Sequence, residues 1–163
     1  MIEVWDGVSD LQRLVQVSEA AGALFAEHDV HLPPDDPAQM LRAANAVLIA
    51  GRPPFGFAAL DEVDGHAHLA ELAVRPSHGR RGVGGQLLDG AWRWARGRGC
   101  SALTLTTFRD LPFNGPWYAR HGFRELPEGE WGEELRALWR AEAPIRVAPR
   151  MAMIRRDRPG QHS

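Results

Sequence analysis

Residues 72–88, Leu-Ala-Val-Arg-Pro-Ser-His-Gly-Arg-Arg-Gly-Val-Gly-Gly-Gln-Leu-Leu, restrict the fold of this chain more than any other segment. An apolar run reads as a buried strand, glycines and arginines make a turn, and Val83, Leu87 and Leu88 begin the apolar face of a helix. Gly79, Gly82 and Gly84 let the backbone bend tightly with its N–H groups converging on one spot. The positive end of the helix dipole and the guanidinium groups of Arg80 and Arg81 add charge there, so the turn is a socket for a pyrophosphate.

Absences narrow the ligand. All 19 residues of the Lys+Arg count are Arg, so the chain has no Lys. A Walker-type phosphate loop needs a Lys for the terminal phosphates and pyridoxal phosphate needs one for its Schiff base, which excludes both. A dinucleotide fold places Gly-x-Gly-x-x-Gly after its first strand, with an acid about 20 residues further on. Here the glycines stand mid-chain as Gly79-x-x-Gly82-x-Gly84, and the next strand ends in Thr106 and Thr107. Coenzyme A, a 3′,5′-ADP carrying a pyrophosphate, is the best match.

The stretch from Val74 to Leu88 resembles the signature of the GNAT superfamily of acyl-CoA-dependent N-acyltransferases, whose usual pattern is Arg/Gln-x-x-Gly-x-Gly/Ala. Gly82 and Gly84 fit it, and Gly79 stands where Arg or Gln is usual. That residue contributes mainly a backbone N–H to the pyrophosphate, and Arg80 or Arg81 can supply the missing charge. A second segment, Asn114 to Phe123, is similar to the family's helix that carries an Asn and a Tyr before a terminal Gly-Phe. The resemblance implies an α/β GNAT-like fold, a single mixed and partly splayed β-sheet flanked by helices, with acetyl-CoA as co-substrate. It places Leu72, Ala73, Val74, Gly79, Arg80, Arg81, Gly82, Val83, Gly84, Gly85 and Asn114 against that cofactor.

A chain of 163 residues with 44% apolar content is long enough for one domain with a proper core. One domain is expected over 1–155, with a disordered tail over 156–163. The absence of an eighteen-residue apolar run excludes a membrane-spanning helix, and Met1 to Trp5 lack the regions of a signal peptide. A cytoplasmic location follows. One Cys allows no internal disulfide, and a net charge of −2 argues against nucleic acid as a partner. A homodimer is left open.

Along the chain, Ile2 to Trp5 reads as a strand, and Ser9 or Asp10 caps a helix carrying Leu11, Leu14, Val15, Ala21, Leu24 and Phe25 on one face. The proline-rich stretch from Glu27 to Pro37 is a loop, followed by a short helix through Met40 and Ala44. Val47–Ala50, Phe55–Leu60 and Ala67–Val74 form an antiparallel meander. A helix from Gly82 to Arg96 leads to a parallel strand, Ala102 to Thr107. Phe123–Leu126 as a strand, Trp131–Ala143 as a helix and Ile145–Ile154 as a last strand complete the chain.

Amide formation from a thioester needs a neutral amine, and an alkylamine of pKa near 10.4 is only about 0.1% neutral at pH 7.4, so a base is required. His68 and Glu71, on the strand entering the glycine turn, are the candidates. They have opposite parity, so a regular strand cannot aim both at one point. The resemblance places the usual base where His68 stands and matches Glu71 to an acid before Leu-x-Val; a bulge could realign them. The structural alternatives are a partly buried strand histidine and a carboxylate that accepts loop amides.

Tyr118, the one tyrosine of the chain, falls at the family's motif position and is the candidate acid for the departing thiolate. Backbone N–H groups near Leu72 to Val74 are candidates for stabilising the carbonyl oxygen. Asn114 caps the helix that holds Tyr118, or touches the cofactor as the resemblance implies. Glu27, His28 and His31 border the expected acceptor site, where carboxylates attract a cationic amine. His66 and His68 lack a third ligand at metal spacing, so no metal is expected. The expected activity is direct acetyl transfer from acetyl-CoA to a small primary amine. A protein N-terminal or side-chain acetyltransferase and a non-catalytic acyl-CoA sensor are the alternatives.

Overall fold

Turn chemistry decides where the strands stop. Gly51 (φ 92°), Asp64 (φ 55°) and Gly65 (φ 77°) hold left-handed conformations, the backbone that tight hairpin turns require. They divide an apolar stretch into β2 (Ala46–Ala50), β3 (Gly56–Val63) and β4 (His66–Val74). Preceding them are β1 (Ile2–Val4), α1 (Leu11–Glu27) and α2 (Pro37–Ala43). Following them are α3 (Val83–Gly97), β5 (Ala102–Phe108), α4 (Gly115–Arg120), β6 (Arg124–Glu125), α5 (Glu133–Ala141) and β7 (Arg150–Arg156). The strands form one mixed, open sheet in the order β1-β2-β3-β4-β5-β7-β6, flanked by helices as the resemblance implied. The computed structural model describes residues 2–79 and 81–157.

The chain divides into two compact units. The first takes the described residues up to Asp61 together with Leu69–Arg93. Its antiparallel strands pair Ile2 with Ala50 and Ala46 with Leu60. Their odd-numbered side chains Val47, Ile49, Phe57, Ala59 and Ala73 pack with Leu14, Val17 and Leu41 of α1 and α2. Burial of such side chains is worth about 1.5–3 kcal/mol each for the larger ones. On the opposite face α3 comes close because Gly90 has no side chain: a Cβ there would stand 3.2 Å from Leu48 and 3.3 Å from Ile2.

The second unit takes Glu62–His68 and the described residues from Trp94 onward. In it β4 pairs parallel with β5 at Ala67↔Leu103 and His68↔Thr104, while β5 pairs antiparallel with β7 from Ala102↔Arg156 to Phe108↔Arg150. Val63, Ala102, Leu126, Leu135, Ala152 and Ile154 make its core. The N-terminus of α5 is capped from the hairpin turn: Oδ1 and Oδ2 of Asp64 accept the amides of Glu134 (2.9 Å) and Leu135 (3.0 Å). Glu134 returns the bond by accepting the Asp64 amide at 2.6 Å. Gly132 leaves room for the Asp64 carboxylate, which a Cβ would meet at 2.3 Å.

Several local expectations change. Asp10 stands at the start of α1 in a left-handed conformation without a side-chain cap bond; Asp6 instead collects the amides of Val8 and Ser9. Asn114 likewise stands at the start of α4 without a side-chain cap. The helix expected over Trp131–Ala143 is confined to Glu133–Ala141, with 3₁₀ turns before and after it. The last strand begins at Arg150, not Ile145, because Pro144 sits in a 3₁₀ turn and Val147 is 51% exposed. Pairing runs through Arg156, and Asp157 meets Arg96 and the Ser101 carbonyl. The rest of the expected tail, 158–163, lies outside the described residues, as does Arg80.

Candidate active site

In the first unit β4 runs through Glu71, Leu72, Ala73 and Val74 into the glycine turn. Residues 76–78 form a 3₁₀ turn that the Gly79 amide closes by donating to the Pro76 carbonyl at 3.1 Å. The Gly79 N–H is therefore used within the chain, whereas it was expected to face a pyrophosphate. Phe55 stacks on His78 with ring centroids 4.1 Å apart, holding the turn to β3. Gly82 adopts φ 76°, and among the described residues, its chain neighbours aside, a Cβ there would meet nothing within 4 Å. Its carbonyl accepts the first bond of α3, from Gln86, at 3.0 Å. The amides of Val83, Gly84 and Gly85 precede that bond and have no partner inside the helix. Arg81 is exposed beside them. An anion would find three amides, a helix dipole and a guanidinium here.

Glu71 shares its parity with Ala73 and faces α1. Ser18, 8% exposed, donates to Oε2 of Glu71 at 2.7 Å. Burial pushes the Glu71 carboxyl up; the Ser18 hydrogen bond opposes this, and the charge of Asp35, in the loop after α1, reinforces it. Ser18 and Asp35 were not anticipated. Ser18 left a signal, since it lies four residues after Leu14 and three before Ala21 on the apolar stripe of α1. Glu27, His28 and His31 are all exposed; His28 meets the Leu24 carbonyl and His31 meets Asp29.

In the second unit His68 is 2% exposed, and burial pushes its pKa down to about 4. Its Nδ1 lies 2.8 Å from Thr104 Oγ1, and that hydroxyl donates to the Ala67 carbonyl at 3.4 Å. With the hydroxyl proton so engaged, the network assigns the imidazole proton to Nδ1. Tyr118 is buried in α4, edge-on to Trp117 and Phe123. Asn114 donates from Nδ2 to the Phe113 carbonyl, while its Oδ1 is buried without a hydrogen-bond partner among the described residues. Gly115 admits the close approach of α4 to β5: a Cβ would stand 2.6 Å from the Arg109 carbonyl and 2.7 Å from Met151.

A polar cluster that went unread in the sequence lies at the C-terminal end of β5. Thr106 donates to Oε2 of Glu142 at 2.9 Å and accepts from Nη2 of Arg150 at 3.2 Å. Nη2 of Arg150 and Oε1 of Glu142 stand 3.9 Å apart, yet Oε1 of Glu142 and Nε of Arg150 are buried without a hydrogen-bond partner among the described residues. Burial outweighs their attraction, raising the Glu142 carboxyl and lowering the Arg150 guanidinium. Among the described residues no helix is long and apolar enough to cross a membrane.

A family model described as acetyltransferase (GNAT) matches residues 13–123. Solved structures give the same fold. A GNAT-family acetyltransferase from Staphylococcus aureus aligns at TM-score 0.72 and 14% identity, over 96% of this chain and 98% of the other. The PaiA N-acetyltransferase of Thermoplasma acidophilum, solved with coenzyme A, aligns at TM-score 0.65 and 16% identity, over 96% and 99%. N-acetylglutamate synthase from Neisseria gonorrhoeae, solved with coenzyme A and N-acetyl-glutamate, aligns at TM-score 0.69 and 22% identity over 96% of this chain. This chain spans 35% of that synthase.

Proposed function

Because the chain belongs to the GNAT acetyltransferase family, enzymes that take acetyl-CoA as co-substrate, we propose that it acetylates a small, cationic primary amine with Glu71 as the base. The observation that carries this reading is Glu71 itself: a carboxylate on the strand entering the glycine turn, held at 2.7 Å by a buried serine and raised by burial. A raised carboxyl is a stronger base than an ordinary one, directly or through a water. His68, lowered to about 4 and engaged with Thr104, is the weaker base of the two and serves the strand pairing.

Acetyl-CoA supplies the activated acyl group as a thioester. Val83, Gly84 and Gly85 offer amides, and Arg81 a guanidinium, for its diphosphate, and the buried Asn114 Oδ1 is an acceptor suited to a donor on the cofactor. Amides near Leu72 to Val74 polarise the carbonyl. Glu71 takes a proton from the attacking amine as the N–C bond forms and the C–S bond breaks. Tyr118 protonates or hydrogen-bonds the leaving thiolate. The phenol pKa of about 10 against a thiol's 8.5 makes full transfer uphill by roughly 2 kcal/mol.

The charge pattern supports a cationic acceptor. From residue 14 to residue 41 the carboxylates of Glu19, Glu27, Asp29, Asp35 and Asp36 are met by no Arg or Lys.

Thiol release from acetyl-CoA, measured with ethanolamine, 1,4-diaminobutane, L-lysine, L-glutamate and an alanyl peptide, tests the reading. Turnover is expected with the cationic amines, and Glu71→Gln and Tyr118→Phe should each lower kcat by about 100-fold, the usual scale of a proton-transfer group, with CoA affinity little changed. Binding of CoA without turnover on any amine would turn the protein into a sensor.

A further inference from the structure

We propose that Ser18 is a positioning residue that holds Glu71 for proton transfer. This rests on Glu71 being the base. Ser18 is a polar residue on the α1 stripe that otherwise packs Leu14 and Val17 into the core, and it is buried to 8% exposure. A hydroxyl in that position needs a partner, and the partner it takes is Oε2 of Glu71, 53 residues away in sequence. A carboxylate accepting one short hydrogen bond from a rigid helix has one orientation, whereas the same group without it would rotate about its own side-chain torsions.

Burial is the largest influence against the ionised Glu71, and Ser18 and Asp35 act on it in opposite senses. From α1 the Ser18 hydroxyl donates to the ionised carboxylate and favours it. From the loop between α1 and α2 the negative charge of Asp35 disfavours it. The proton that Glu71 takes from the amine must leave again before the next turnover, and the Ser18 hydrogen bond, by opposing the effect of burial, keeps the carboxylate able to release it. A purely structural tie between α1 and β4 would need the hydroxyl but would be indifferent to Asp35.

The acidic limb of the kcat/KM profile reads the difference, measured on the full chain with acetyl-CoA and 1,4-diaminobutane, or L-lysine if the diamine is not turned over. Ser18→Ala is expected to move the limb to higher pH and to lower kcat by about tenfold, the loss of one charge-assisted bond. Ser18→Thr, which keeps the hydroxyl, restores both. Asp35→Asn is expected to move the limb to lower pH. Ser18→Ala and Asp35→Asn profiles that coincide with that of the unaltered protein, in an enzyme that Glu71→Gln inactivates, overturn the inference and leave Glu71 as base. If Glu71→Gln retains its rate and its limb, the base assignment itself falls. Asp35 lies in an exposed loop, so its arm reads out even if Ser18→Ala disturbs folding.

Discussion

His68 binds a proton less readily in the folded chain than a free histidine does, because the cation would lose its water inside the sheet. Its folded pKa of about 4 lies below the ordinary 6.5, so the folded state is favoured in full above pH 6.5. That contribution is lost progressively as pH falls through 4. The difference corresponds to at most about 3 kcal/mol. Urea unfolding between pH 7.5 and 4 should show stability declining over that window, and His68→Gln should flatten the decline; an unchanged slope would remove the assignment. The sequence placed His68 on β4 and offered it a catalytic role, while parity and motif position carry no information about what packs over a strand. Thr104, whose hydroxyl the His68 Nδ1 meets, stands 36 residues away.

Among the elements, α5 shows how far a cap can come from. Its N-terminal amides are satisfied by Asp64 in the β3–β4 turn, with Glu134 reciprocating. This is the logic of a capping box spread over 70 residues. Asp64→Ala should cost about 1–2 kcal/mol, loosening α5 and changing the fluorescence of Trp131 and Trp139, whose rings lie 4.9 Å apart against each other. Asp64→Asn, which keeps a side-chain acceptor and tolerates positive φ, should cost less. The hairpin was legible from Asp64-Gly65, and so were the meander, α1 and α3, since each is written in local periodicity. Asp10 and Asn114 satisfy the short-range rule without making its bond, while Asp36 does cap α2 through the Gln39 amide and Asp6 binds the nearby amides of Val8 and Ser9; only Asp64 is chosen by tertiary placement.

At the level of the whole molecule, a formal net charge of −2 hides an uneven distribution. The segment from residue 14 to 41 carries five carboxylates and, besides His28 and His31, no basic side chain, while all 19 Arg lie outside it. Attraction of a cationic acceptor to such a segment is screened over about 10 Å at 0.1 M salt. kcat/KM for a diamine should therefore fall several-fold as salt rises from 20 to 500 mM, and should fall less for a peptide acceptor without net charge. Equal salt dependence for the two would show that the acidic segment does not steer the acceptor. The glycine turn could be read from the sequence because its glycines and arginines are contiguous. The surroundings of Glu71 could not be read in the same way, since Ser18 and Glu71, 53 residues apart, meet only through folding.

The Thr106–Glu142–Arg150 cluster leaves a donor and an acceptor unanswered inside the protein, a point of local frustration in an otherwise consistent fold. Removing one charge of such a pair strands the other, typically at about 3–5 kcal/mol, while replacing both by apolar residues of similar size is often neutral or stabilising. Glu142→Leu combined with Arg150→Met should thus melt well above either single variant and no lower than the parent chain. The spot is a natural handle for hardening the enzyme against heat.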